Sequence, residues 1–180
     1  MTSPTGKIYV PATYVNDYKT TYPYFESRID SFIHYPGEWE FVDKTFTAYE
    51  YEGCGFSSVV IKGNASALSV GCFKDSTNLQ SVTLPSTITS LRSAAFTGCT
   101  SLENINLDYI TDIFPEGGLG ANGCFYGCTN LFKDTGIVHM PNLTRITGAV
   151  FQNCSYIKMF IAENLENVYR SDFPFSGTAI

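Results

Sequence analysis

The sequence predicts an α/β repeat solenoid of about five coils, with a parallel sheet along one face and an N-terminal cap of helix and short strands. Three observations predict it. From Ser57 onward the chain divides into self-similar segments, 57–79, 80–102, 103–131, 132–157 and 158–180. An alternating apolar pair recurs in the first four: Val59/Ile61, Val82/Leu84, Ile105/Leu107 and Val138/Met140. A phenylalanine then follows (Phe73, Phe96, Phe125, Phe151), with Leu79, Leu102, Leu131 and Ile157 six residues beyond it.

Each element has a physical reason. Apolar residues two apart place their side chains on one face of a strand, so the paired positions mark a strand with one buried side. A second apolar set, Ile88/Leu91, Ile110/Ile113 and Leu143/Ile146, gives each coil a return path with its own inward residues. No coil can bury such residues alone. Stacking the coils at ~4.8 Å per step places Phe on Phe and Leu on Leu in continuous ladders. The third segment carries six extra residues and the fourth three, while the last lacks the cysteine and can align on Phe173 or Phe175, as a degenerate terminal coil.

Residues 1–56 are expected to cap the N-terminal end, because an open solenoid end exposes strand edges and core. Val15, Tyr18 and Tyr22 fall at helical spacing after Pro11, and Phe25, Ile29, Phe32 and Ile33 at the spacing of a second amphipathic helix. The alternation in residues 37–53 predicts two short strands. The solenoid domain is then 57–180.

The run VTLPSTITSLRSAAFTGCTSL within 80–102 resembles the BspA-like (Treponema pallidum type) leucine-rich repeat family, and the resemblance extends over about 57–180. KIYVPATYVNDYK is similar to an element accompanying such repeats in surface proteins of gut Bacteroidetes. The resemblance implies a non-enzymatic binding or adhesion module recognising protein or glycan at a bacterial surface. The alternative is a structural or receptor-contacting virion protein of a phage of gut bacteria. The location is extracellular or at the cell surface if a signal peptide has been removed, and otherwise the virion.

Composition narrows the partners. A formal charge of −6 offers no cationic excess to displace counterions, so no nucleic acid partner is expected. No apolar run approaches a membrane span, so neither is membrane insertion. The register predicts a binding row of outward strand positions, Val60, Thr83, Asn106, His139 and Ile161, flanked by Ser58, Ser81, Asn104 and Ile137. Small polar groups in its middle suit hydrogen bonding to a polypeptide or a glycan.

No catalytic residue, cofactor or metal site is assigned. Residues 118–123 read GxGxxG, but Cys-Phe-Tyr-Gly-Cys follows where a helix should open, so a surface loop is expected. Cys124 and Cys128 lack a second ligand pair for zinc. Cys72, Cys99, Cys124, Cys128 and Cys154 read as core residues; Cys54, placed outside the repeat, is the most plausible partner in any inter-coil disulfide. His34 and His139 have no nucleophile at a recognised spacing, and Glu38 and Glu40 beside Trp39 read as a solvated edge in preference to a glycosidase pair.

Overall fold

The computed structural model describes residues 8–10, 14–21, 23, 29–31, 35, 37–65, 67–113, 123–169 and 175–180. In chain order its elements are β1 (Ile8–Val10), α1 (Val15–Thr21), β2 (Ile29–Ser31), β3 (Glu38–Val42), β4 (Ser58–Lys62), β5 (Ala67–Leu68) and β6 (Ser81–Thr83). They continue with β7 (Ser90–Leu91), β8 (Asn104–Ile105), β9 (Asp112–Ile113), β10 (Ile137–His139), β11 (Arg145–Thr147), β12 (Met159–Ile161) and β13 (Asn167–Tyr169).

Every strand pairing is parallel. The first strand of each coil forms one side, in the orders β3-β4-β6-β8 and β10-β12; the second strand forms another, β13-β11-β9-β7-β5. Two sides of the solenoid are therefore sheet, where one was expected, because the second apolar set falls on strands as well: Leu91, Ile113 and Ile146 lie in β7, β9 and β11. The third side is turns carrying the aromatic ladder. Among the described residues the coils contain no helix, and α1 buries none of its side chains.

The ladder is longer than the repeat pattern indicates. Tyr51, Phe73, Phe96, Phe125, Phe151 and Phe175 stack successively with centroid separations of 5.7, 5.7, 5.5, 5.4 and 5.8 Å. Phe175 is thus the terminal rung, and Phe173 lies outside the described residues. Trp39 and Phe41 pair in register with Val59 and Ile61, so the stretch 38–56 is itself a coil. The second strand expected there is absent because residues 48–53 form the turn that presents Tyr51.

Cys54 follows Tyr51 by three, as Cys99 follows Phe96, and so belongs to the cysteine ladder and not outside the repeat. All six cysteines are buried and free. In front of this coil Trp39 stacks on Phe56 at 5.5 Å, while Tyr35 packs edge-on against Trp39 and Tyr9 against Tyr35. The helix expected around Ile29 is instead β2, paired with β1; Phe25, Phe32, Ile33 and Tyr22 lie outside the described residues.

Candidate ligand-binding face

The outward row forms as the register requires, but in two blocks. Val60 pairs with Thr83, and Ser58 with Ser81, which pairs with Asn104. His139 pairs with Ile161 on β10 and β12, and Ile137 with Met159. β8 and β10 are not paired with each other. The turn that begins at Phe132 separates them: its N–H donates to the Glu103 carbonyl at 2.9 Å, and its own carbonyl accepts Gly136 N–H at 2.7 Å. Phe132 takes a φ of 55°, the left-handed conformation that reverses the chain there.

On the first block lies an open depression of about 330 Å³ formed by Ser81, Thr83, Asn104, Asn106 and Phe132 with the buried-side residues Val82 and Ile105 beneath. Four of the nine outward and flanking positions named from the sequence meet here. Val60 lies one strand away, and His139 and Ile161 stand across the interruption. Phe132 was not foreseen; the only trace of it was the excess length of the fourth segment.

The polar groups differ in what they offer. Asn106 is engaged in both directions, its Oδ1 accepting Leu84 N–H at 2.7 Å and its Nδ2 donating to the Leu84 carbonyl at 2.9 Å. It continues the sheet bonding past the end of β8. Thr83 and Asn104 are exposed. His139 Nε2 lies 3.0 Å from Glu163 Oε1. A bond from its own backbone N–H, and then this ring, hold the Glu163 carboxyl below its usual range.

The remaining candidates for chemistry are structural. Burial pushes the thiols of Cys72, Cys99, Cys124 and Cys128 upward, that of Cys54 to about 11 and that of Cys154 to about 12, so none is a thiolate near neutrality. Glu38 and Glu40 are exposed on β3, Glu40 paired with Lys62 at 2.6 Å, while Trp39 between them faces inward. His34 and residues 118–122 lie outside the described residues. Gly123, the last glycine of the GxGxxG, is buried, and a Cβ there would stand 1.9 Å from the Ala149 carbonyl oxygen. Close packing of the coils accounts for it. Among the described residues no three His, Cys, Asp or Glu converge to hold a metal, and no helix is long and apolar enough to cross a membrane.

A second cavity, about 260 Å³, lies near Asp43, Lys44, Asn64, Ser69 and Arg92. Lys44 is bonded to Glu50 at 2.6 Å. Burial alone would raise the Glu50 carboxyl, but Lys44 and the Thr47 N–H and hydroxyl more than offset it, leaving it below its usual range.

Stacked short coils, each adding a strand to a parallel sheet and one aromatic to a common ladder, define a leucine-rich repeat solenoid. The family model for the BspA type leucine rich repeat region matches residues 44–178 in six copies, and the chain belongs to that family. Among solved structures it is similar to a leucine rich cell surface protein of Faecalibacterium prausnitzii A2-165, with TM-score 0.56 and 23% identity over 71% of this chain and 32% of that one. It is also similar to the leucine rich repeat protein of T. pallidum, with TM-score 0.48 and 17% identity over 72% of this chain and 65% of that one. The chain thus spans less than two thirds of the length of either. No curated protein matches it.

Proposed function

We propose that the chain is a non-enzymatic binding module for a protein or glycan ligand at a bacterial surface, and that the block Ser81, Thr83, Asn104 makes the contact. The observation that carries this is the depression these residues share on the strand side, where small polar groups converge on one partly exposed aromatic, Phe132. A binding role fits the family, and the similarity to a cell surface protein of Faecalibacterium supports the location. The edge-on packing of Tyr9 on Tyr35 and of Tyr35 on Trp39, at the front of the coil 38–56, supports a capping role for the residues before β3.

Thr83 is exposed, so Thr83→Arg should fold normally yet obstruct the depression. On glycan arrays and immobilised surface-protein panels, the variant is expected to lose at least about tenfold in affinity for any ligand bound by the parent, with unchanged thermal unfolding. Equal binding by parent and variant would sink the assignment of the site.

A further inference from the structure

We propose that the space between β8 and β10 is a vacant strand position, and that it takes an extended polypeptide segment of a partner protein by strand addition. This rests on the binding reading above and narrows its ligand to a peptide.

The corners of the solenoid reveal the space. At the corner before the first strand of each coil, backbone N–H groups step from coil to coil: Gln80 to the Ser57 carbonyl at 2.8 Å, Glu103 to Gln80 at 2.9 Å, Phe132 to Glu103 at 2.9 Å. The next step does not start from Phe132. It starts from Gly136, four residues on, whose carbonyl accepts Lys158 N–H at 2.8 Å. The turn 132–136 therefore adds a level at this corner. At the corner before the second strand nothing is added: Thr144 N–H donates to Thr111 at 2.9 Å and Glu166 N–H to Thr144 at 3.0 Å. The ladder is likewise unbroken, with Phe125 and Phe151 5.4 Å apart. One side of the solenoid is wedged open, by roughly one strand spacing of ~4.8 Å, between two coils that stay together at the second corner and at the ladder.

The banks of the wedge carry unused backbone groups. Alternate residues of a parallel strand bond to opposite neighbours. Asn104 N–H donates backward to Gln80 at 3.2 Å and the Glu103 carbonyl faces onward to Phe132, so the N–H and carbonyl of Ile105 face onward too. There, among the described residues, they meet no backbone partner. On the far bank Met140 N–H donates onward to Ile161 at 2.9 Å, so Ile137 and His139 face back into the wedge. Ile137 N–H is taken by the Thr135 hydroxyl at 3.2 Å, which blunts one end of an exposed edge; the His139 backbone has no such cover.

Backbone donors and acceptors left open along two banks call for a ligand that presents the same pattern in return, and an extended polypeptide does so. Side chains select it further. Phe132 and Ile137, the latter 41% exposed, offer apolar contact to every second residue. Asp134 within this turn is exposed and Glu163 is held at His139, while of the two lysines here Lys133 is bonded to Glu103 and Lys158 packs its stem against Gly136. The partner segment is therefore extended, with alternate apolar residues and basic ones between or beside them.

The test uses the whole chain with blocked heptapeptides that alternate Val with Lys or Thr, read by amide hydrogen exchange and titration calorimetry. In the free protein the Ile105 and His139 amides should exchange much faster than those of Val59 and Val82, despite the buried Ile105 side chain. A bound peptide should slow both, and N-methylation of its alternate amides should weaken binding at least about tenfold. Four outcomes overturn the proposal. These are protection of Ile105 in the free protein equal to that of Val82, binding indifferent to N-methylation, no binding across the panel, and protection that rises with protein concentration alone, which would seat a second copy of the chain there. Loss of glycan or protein binding in Thr83→Arg with these amides unmoved would leave the binding reading standing and remove only this one.

Discussion

Cys99 donates its thiol proton to the Phe73 carbonyl at 3.0 Å; Cys128 does the same to Phe96 at 3.0 Å and Cys154 to Phe125 at 3.1 Å. Each cysteine thus adds a second bond to a carbonyl of the preceding coil's aromatic rung, which already accepts the backbone N–H three residues on (Ser76, Cys99 and Cys128). Ser76 occupies the same position in its coil and bonds to the Tyr51 carbonyl at 3.2 Å. What the position requires is a small side chain with one donor. Cys99→Ala should therefore cost about 2 kcal/mol, from lost packing and from the loss of one of the two bonds to the Phe73 carbonyl, which keeps only Ser76 N–H, whereas Cys99→Ser should cost less than about 1 kcal/mol. Urea unfolding of the two variants checks this: equal destabilisation would show that volume alone matters, and the hydrogen bond would then carry no weight. The Phe-x-x-Cys spacing was legible as a repeat feature, but a lone thiol reads as apolar filler until the carbonyl one coil away is known.

The turn that presents each aromatic has a second fixed demand. Two residues beyond the rung, Gly53, Asp75, Gly98, Gly127, Asn153 and Gly177 all take positive φ, between 56° and 75°. Glycine, asparagine and aspartate are the residues that tolerate this region. Gly123 differs, for its neighbour is the objection: its missing Cβ would meet the Ala149 backbone at 1.9 Å. Gly127 has φ of 72° and open space around it. Gly127→Ala should then cost about 1 kcal/mol of backbone strain, and Gly123→Ala about 3 kcal/mol or more, since two packed coils must separate. Thermal unfolding of both orders them; the reverse order would refute the packing account. At this scale the sequence is only partly informative. The front coil escaped notice because its rung is Tyr51 and because Phe56 follows Cys54 by two residues where Leu79 follows Ser76 by three. Ser81, Thr83 and Asn104 were placed correctly because register passes unaltered between adjacent strands. His139 and Ile161 were joined to them by counting across residues 132–136, and a count of extra residues does not say at which corner they widen the coil.

At the scale of the molecule, the line of buried thiols couples stability to alkaline pH. Their ordinary value is near 9.0, and burial raises Cys54 to about 11 and Cys154 to about 12, with Cys72, Cys99, Cys124 and Cys128 also driven upward. Below pH ~9 the thiols hold their protons in folded and unfolded chains alike, and they add no pH dependence. Above it the unfolded chain ionises while the folded one cannot, so the unfolded state gains about 1.4 kcal/mol per pH unit for each thiol concerned. The loss continues until the folded values are reached. A native domain with an ordinary margin of about 5–15 kcal/mol cannot absorb six such contributions over two pH units. Urea midpoints under reducing conditions should therefore fall steeply between pH 9 and 10. Cys154→Ser, which keeps a donor near the Phe125 carbonyl but removes the titrating group, should fall less steeply by about one proton's worth. A midpoint constant across that interval, or a serine variant with the parent's slope, would show that the thiols reach water in the folded state and that the ladder is less closed than its geometry indicates.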